Sequence, residues 1–251
     1  MLNFVEYGQR SEQPSLLIVH GLFGSARNWG VISKRLADTR HVVTVDMRNH
    51  GESPWSDSHT YADLAGDLVE IIEVFGGKLD VLGHSMGGKA GMVLALTQPA
   101  LVNRLLVADI APVTYTHTQL HLIKAMKSLD LSTVEKRSDA DRQLADAIPE
   151  TPVRAFLLQS LDVNAKRWRL NLDALAANMD DIIGFPDLLG RFSGPTFFLS
   201  GGASDYVRTE HKETIRALFE QPFFAKIPGV GHWLHAEKPR EFEASIRAFF
   251  S

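Results

Sequence analysis

A serine flanked by glycines is the first feature of this 251-residue chain that could carry chemistry. The motif Gly83-His84-Ser85-Met86-Gly87 follows a short apolar run and precedes a stretch with helical spacing. Strand, sharp turn and helix in that order form a nucleophile elbow, where a strained turn exposes the serine and leaves no room for side chains two residues away on either side. Ser85 is therefore the candidate nucleophile, although a five-residue motif can also arise by chance.

A serine nucleophile needs a base, and His232 is the candidate. It lies in the glycine-rich loop Pro228-Gly229-Val230-Gly231-His232, after the last predicted strand and before the last predicted helix. A lone histidine is more often structural than catalytic. This one follows the nucleophile and both candidate acids in the chain, an order known from serine hydrolases, and its loop can reach the elbow.

Two aspartates are candidates for the acid that orients this histidine. Asp109 ends the apolar run Leu105–Ala108, and Asp205 comes shortly after the predicted strand that ends at Ser200. Asp205 could instead cap a helix beginning near residues 206–209. A carboxylate at the end of a buried strand is costly without a partner, which favours Asp109. The sequence leaves both open.

Acyl transfer also needs donors for the oxyanion that develops on the substrate. The turn His20-Gly21-Leu22-Phe23-Gly24 follows a predicted strand and offers backbone N–H groups. The predicted donors are the amides of Leu22 and of Met86, the residue after the nucleophile. A plain strand-to-helix turn is the alternative interpretation of residues 20–24.

The elements that must position these residues alternate between short apolar runs and longer amphipathic ones, which predicts an α/β fold with a mostly parallel sheet covered by helices. A first strand is predicted within Met1–Tyr7. Further strands are predicted at 16–20, 42–46, 79–83, 105–109, 196–200 and 223–227, and helices at 29–36, 61–75, 86–97, 209–219 and 240–250.

Between residues 111 and 191 the strand pattern stops and only helical patterns remain. We therefore predict that residues 1–110 and 192–251 form the core and that residues 111–191 form an inserted helical cap. Its apolar side chains suit packing over the carboxyl ends of the strands, where open α/β sheets bind ligands.

Composition excludes several functions. A net charge of −4 gives no basic footprint for nucleic acid or anionic membrane, and the absence of cysteine excludes thiol catalysis and disulfides. The first residues lack a secretory signal, and no apolar run approaches the ~20 residues that span a bilayer, so we expect a cytoplasmic protein without membrane insertion. His117 and His121 are spaced like metal ligands, but no third ligand follows, so no metal is expected.

These motifs together resemble the α/β-hydrolase superfamily across nearly the whole chain. Within it, the segments His20–Ser25, Asp46–Gly51, Gly83–Lys89, Asp109–Val113 and Gly231–Glu237 are similar to those of the small bacterial esterase YbfF group. The resemblance implies an α/β-hydrolase fold and hydrolysis of carboxylic esters and acyl thioesters, including acyl-CoA, without a cofactor. In the YbfF group the acid ends the sixth strand, which matches Asp109, whereas most of the superfamily has it after the seventh, which matches Asp205.

Two other functions remain open at this point. Carbon-carbon bond hydrolysis, or a lyase step of the menaquinone-pathway type, uses the same scaffold with a polar cap that grips carboxylates, and Arg154, Arg167 and Arg169 could serve that purpose. A ligand-binding homologue without activity would be favoured by a broken set of catalytic residues. The sequence does not indicate the acyl chain length or the oligomeric state.

Overall fold

The computed structural model describes all residues from 1 to 251, and its centre is a seven-stranded sheet. The strands in chain order are β1 (Phe4–Tyr7), β2 (Leu16–Val19), β3 (Val42–Val45), β4 (Leu79–His84), β5 (Val102–Ala108), β6 (Leu161–Asp162), β7 (Arg167–Trp168), β8 (Thr196–Gly201) and β9 (Pro222–Ile227). The sheet has the order β1-β3-β2-β4-β5-β8-β9, and only β1 runs antiparallel to its neighbour. The predicted mostly parallel sheet is confirmed.

Eleven α-helices surround this sheet. They are α1 (Gly30–Leu36), α2 (Tyr61–Val74), α3 (Met86–Thr97), α4 (Leu120–Lys127), α5 (Arg137–Leu144), α6 (Thr151–Leu157), α7 (Leu172–Ala177), α8 (Met179–Ile183), α9 (His211–Leu218), α10 (Leu234–Glu237) and α11 (Pro239–Phe250). The predicted helices of the core agree with α1, α2, α3, α9 and α11 to within about three residues.

Alternation along the buried strands divides the core between the two faces of the sheet. In β2, Leu17 and Val19 join the cluster that includes α2 and α3, whereas Leu16 and Ile18 join the cluster formed with α1 and α11. All four residues of β2 are buried. A parallel strand covered by helices on both faces is apolar throughout. Because the neighbouring strands are parallel, their carboxyl ends lie at one edge of the sheet.

Residues 111–191, called the inserted segment below, add no strand to the seven-stranded sheet. They contain α4 to α8, as the helical patterns predict, and also the short antiparallel pair β6–β7, which the sequence analysis missed. The hairpin turns through Lys166, whose φ is 53°, and the Asp162 carboxylate accepts the Ala165 N–H there. Strands of two residues are too short to show the alternation from which a strand is predicted.

No helix in the structure combines the length and the apolar character that crossing a membrane requires. The cytoplasmic location stays a prediction from the sequence.

Candidate active site

The nucleophile elbow predicted at Ser85 has the expected strained geometry. Ser85 joins β4 to α3 with φ of 53° and ψ of −119°, a backbone conformation that residues other than glycine rarely adopt. A Cβ at Gly83 would lie 2.2 Å from the carbonyl oxygen of Gly87, and one at Gly87 would lie 2.4 Å from that of Val19. Both glycines are therefore required by close backbone contacts around the turn.

The structure brings Ser85, His232 and Asp109 together. His232 Nε2 lies 3.0 Å from Ser85 Oγ, and His232 Nδ1 lies 2.8 Å from Asp109 Oδ2. A carboxylate only accepts hydrogen bonds, so Nδ1 carries the proton and Nε2 is free to accept the proton of the serine hydroxyl. Side chains in this order can activate a serine for attack on an acyl carbonyl.

Asp109 follows β5 directly, with a φ of 52° and a side chain that is 0% exposed. Its Oδ1 accepts the Gly201 N–H at 2.8 Å, and its Oδ2 accepts the Ser204 hydroxyl in addition to His232. Three donors satisfy the carboxylate and offset the cost of its burial. Ser204 was not predicted as a residue of the site, because its contact with Asp109 spans the whole inserted segment.

Asp205, the other candidate acid, is not part of this hydrogen-bonded group. Its side chain is exposed and has no hydrogen bond to His232. Neither does it cap a helix, since α9 begins at His211 after Glu210. The next residue, Tyr206, is the one that reaches the histidine: its ring stacks on the His232 ring with centroids 4.0 Å apart. Its hydroxyl hydrogen-bonds to His117 Nε2 at 2.8 Å.

The turn at residues 20–24 packs against the elbow. A Cβ at Gly21 would lie 2.9 Å from His84 Nδ1 and 3.1 Å from the Cβ of Ser85, so a side chain here would displace its neighbours. The Leu22 N–H has no hydrogen-bond partner within the protein. Met86 is the first residue of α3, where a backbone N–H has no intrahelical acceptor. Both predicted oxyanion donors thus belong to backbone segments that border Ser85.

Buried histidines fix this turn. His20 Nε2 accepts the Met47 N–H at 2.9 Å, so Nδ1 carries the proton and donates to the Gly21 carbonyl at 2.8 Å. That carbonyl shares a peptide plane with the Leu22 N–H, and its hydrogen bond holds the plane in place. Burial lowers the pKa of His20 and keeps it neutral. His50 Nε2 accepts the next N–H, that of Phe23.

A cavity of about 420 Å³ opens onto Ser85, within the range of small-molecule sites. The inserted segment contributes much of its apolar lining: Leu122, Val153, Phe156, Leu157, Ile182 and Ile183. His117 and His121 also line the cavity, and no group of three or more side chains in the protein could hold a metal ion.

Arg154, Arg167 and Arg169, the arginines considered for gripping a substrate carboxylate, do not line this cavity. Arg154 pairs with Asp141 at 2.7 Å and donates to the carbonyls of Ile148 and Pro149. Arg169 pairs with Glu52 and Asp162, and Arg167 is exposed.

A parallel sheet with a serine on a strained strand-to-helix turn, hydrogen-bonded to a histidine after the last strand, defines the class of α/β hydrolases. The model of the alpha/beta hydrolase family matches residues 16–245, and the chain belongs to that family.

Its relatives include named enzymes. The sn-1-specific diacylglycerol lipase ABHD11 of Mus musculus is 41% identical, over 95% of this chain and 81% of that protein. Esterase YbfF of Escherichia coli strain K12 is 35% identical, over 97% of this chain and 95% of that protein. A solved structure described as a marine microorganism esterase has a TM-score of 0.93 at 35% identity, covering 99% of this chain and 98% of that one. The predicted fold and the resemblance to the YbfF group are confirmed, and the chain is a hydrolase.

Proposed function

We propose that this hydrolase cleaves carboxylic esters and acyl thioesters through an acyl-enzyme on Ser85, with His232 as base and Asp109 as orienting acid. The observation that carries the proposal is the unbroken chain of hydrogen bonds from Ser85 Oγ to Asp109 at the wall of an apolar cavity. The names of the relatives, an esterase and a lipase, support the ester substrate class.

The mechanism follows from the geometry. His232 Nε2 accepts the hydroxyl proton as Ser85 Oγ attacks the acyl carbonyl carbon, and the buried Asp109 carboxylate stabilises the imidazolium that forms. The amides of Leu22 and Met86 donate to the oxyanion, where one such donor contributes about 3 kcal/mol. His232 returns the proton to the leaving alcohol or thiol, and water then attacks the acyl-enzyme by the same route.

We further propose that the inserted segment acts as a helical cap over a core of residues 1–110 and 192–251. Two observations support this division: the segment adds no strand to the main sheet, and its apolar side chains line the cavity beside Ser85. The cap would then provide the surfaces that select the acyl chain.

The test is steady-state hydrolysis of a p-nitrophenyl ester series and an acyl-CoA series. Ser85→Ala should lower kcat by roughly 10⁴-fold or more, because it removes the nucleophile. Ser132→Ala, an exposed serine of the inserted segment, is the matched control and should keep full activity. Thermal unfolding of both variants checks that they fold. Full activity of a folded Ser85→Ala variant would exclude the mechanism, and cleavage of oxygen esters alone would restrict the substrate class.

Carbon-carbon bond cleavage or a lyase reaction on the same scaffold receives less support. Of the arginines that could bind a substrate carboxylate, Arg154 and Arg169 are already paired with carboxylates of the protein, and Arg167 is exposed to solvent. None of the three lines the cavity.

A further inference from the structure

Lys89 is a buried cation that the proposed mechanism does not use. It lies on α3 four residues after Ser85, and its N–H donates to the Ser85 carbonyl at 3.0 Å. The residue is 1% exposed, yet no carboxylate lies within ion-pair distance of its ammonium group. Burying a charge without an opposite charge is costly, so a strong compensating arrangement is expected around it.

That arrangement consists of backbone carbonyls and aromatic faces. Lys89 Nζ donates to the carbonyls of Ile183 at 2.8 Å and Gly184 at 2.5 Å, at the C-terminus of α8, where the helix dipole favours a cation. The ring centroids of Tyr115 and Tyr61 lie 4.8 Å and 5.7 Å from Nζ, within the range of cation–π attraction.

Residues Ile182, Ile183 and Gly184, called the 182–184 strip below, are held by three separate elements. Tyr61 Oη of α2 donates to the Ile182 carbonyl at 2.7 Å, and the Tyr115 N–H donates to the Ile183 carbonyl at 3.0 Å. Lys89 holds the Ile183 and Gly184 carbonyls. Lys89 is the anchor that belongs to the same helix as the elbow.

The 182–184 strip is also a wall of the cavity. The cavity lining includes Ile182 and Ile183 together with Ser85 and Lys89. A change in how Lys89 holds the carbonyls therefore moves apolar surface relative to the nucleophile. A long acyl chain covers more of this apolar wall than a short one, so a shift of the wall affects long substrates more than short ones.

We propose that Lys89 is a positioning residue that sets the acyl-chain selectivity of this hydrolase, by holding the 182–184 strip against the helix that carries Ser85. The inference rests on the proposed function and adds a determinant of its substrate range. Lys89 also borders the cavity, and its effect on substrate range comes through the position of Ile182 and Ile183.

The charge of Lys89 changes close to neutral pH, because burial lowers its pKa to about 7. The other titratable groups around it respond differently. Burial raises the pKa of Tyr61 and Tyr115, so both stay neutral, and burial lowers the pKa of His117, which lines the same cavity. On α8 itself, Asp180 and Asp181 are exposed. Loss of the ammonium charge weakens the charge-assisted hydrogen bonds to the strip.

The experiment measures the ratio of kcat/KM for p-nitrophenyl octanoate to kcat/KM for p-nitrophenyl acetate between pH 6 and 8.5. Effects of pH on the hydrolytic step that both esters share cancel in this ratio. We expect the wild-type ratio to fall several-fold as the pH rises through about 7. In Lys89→Met, which keeps an unbranched apolar side chain but lacks the ammonium group, the ratio should be low and independent of pH. Lys124→Met, at an exposed lysine of α4, is the control and should behave as wild type.

Hydrogen exchange of the amides in residues 179–185 provides a second measurement that does not depend on activity. Lys89→Met should raise exchange there and leave the amides of β4 protected. Should Lys89→Met fail to fold, Tyr61→Phe removes the hydroxyl that holds Ile182 and should lower the ratio while its pH dependence remains. A wild-type ratio and unchanged exchange in a folded Lys89→Met variant would overturn the inference. Absence of all ester hydrolysis in wild type, with exchange altered in the variant, would instead reject the proposed function and leave the positioning role intact.

Discussion

Asp109 and Asp205 illustrate how far single residues can be interpreted from sequence. Both follow predicted strands, and both were candidates for the acid. In the structure, Asp109 is buried and accepts three hydrogen bonds, one of them from His232, while Asp205 is exposed. The difference depends on the loop after β8, whose Ser204 reaches back to Asp109. Such a contact between distant residues leaves no local pattern in the sequence.

We predict that replacement of the two aspartates separates their roles. Asp109→Asn keeps the shape of the side chain but replaces an acceptor by an amide, which favours the wrong tautomer of His232 and should lower kcat by roughly 10⁴-fold. Asp205→Asn is the matched control and should change kcat less than about twofold. Kinetics with a p-nitrophenyl ester measure both. The opposite order of effects would assign the acid to Asp205.

Ser85, His232 and the turn at residues 20–24 could be predicted because each belongs to a short motif beside a recognisable strand. The role of His20 could not be predicted, since it depends on which of its ring nitrogens accepts the Met47 N–H.

We predict that His20→Phe lowers kcat while KM changes little. The substitution fills the ring volume but removes the donor that fixes the Gly21 carbonyl, so the Leu22 N–H loses its fixed orientation for the proposed role as oxyanion donor. Steady-state kinetics with a p-nitrophenyl ester give the two parameters, and thermal unfolding checks the fold. An unchanged kcat in a folded variant would show that the turn keeps its shape without His20.

At the scale of elements, the sequence predicted the sheet and the core helices well, because their apolar periodicities extend over whole elements. The inserted segment was predicted only coarsely. The hairpin β6–β7 is stabilised by its contacts rather than by its own propensity, since buried Trp168 donates through Nε1 to the Met126 carbonyl. Because this contact with α4 forms only when the chain is packed, the hairpin could not be predicted from its own residues.

The close backbone contacts of Gly87 in the nucleophile elbow lead to a prediction about stability. Gly87→Ala adds a methyl group that would lie 2.4 Å from the Val19 carbonyl oxygen and 2.5 Å from that of His20. Because β2 and α3 would have to separate, we expect a loss of about 3 kcal/mol or more in the free energy of unfolding. Gly66→Ala, on α2 where an added Cβ meets nothing within 4 Å, is the control and should be neutral or slightly stabilising. Urea denaturation measures both, and equal stability of the two variants would contradict the expected clash.

At the scale of the whole molecule, five histidines lie around the site: His20, His50, His59 and His84 are buried, and His235 is half-buried. Their pKa values are lowered, first by burial, and for His59 and His235 the value is about 4. Below pH 6.5 the unfolded chain therefore binds more protons than the folded protein, so stability falls as the pH falls.

We predict that the free energy of unfolding decreases between pH 7 and pH 5, by about 2 kcal/mol for each of His59 and His235. Most carboxylates remain ionised in this range, which separates the effect from ordinary acid unfolding. Urea denaturation at several pH values measures it, and His59→Gln should reduce the slope. A stability that stays constant from pH 7 to pH 5 would contradict the neutral state of these histidines.

The chain leaves the sheet and returns to it at neighbouring strands. Asp109 turns the backbone out of β5 with a left-handed φ, the inserted segment begins two residues later, and the next strand of the sheet is β8, which pairs with β5. Because β5 and β8 are parallel, the segment begins beyond the carboxyl end of β5 and ends before the amino end of β8, at the opposite edge of the sheet. A replacement segment from another hydrolase could be joined at these points without disturbing the strand order, provided that it spans the sheet from one edge to the other and that the turn at Asp109 is kept. Under the proposed division into core and cap, recombination, natural or in the laboratory, would exchange the substrate range with one inserted segment, while Ser85, Asp109 and His232 stay unchanged in the core.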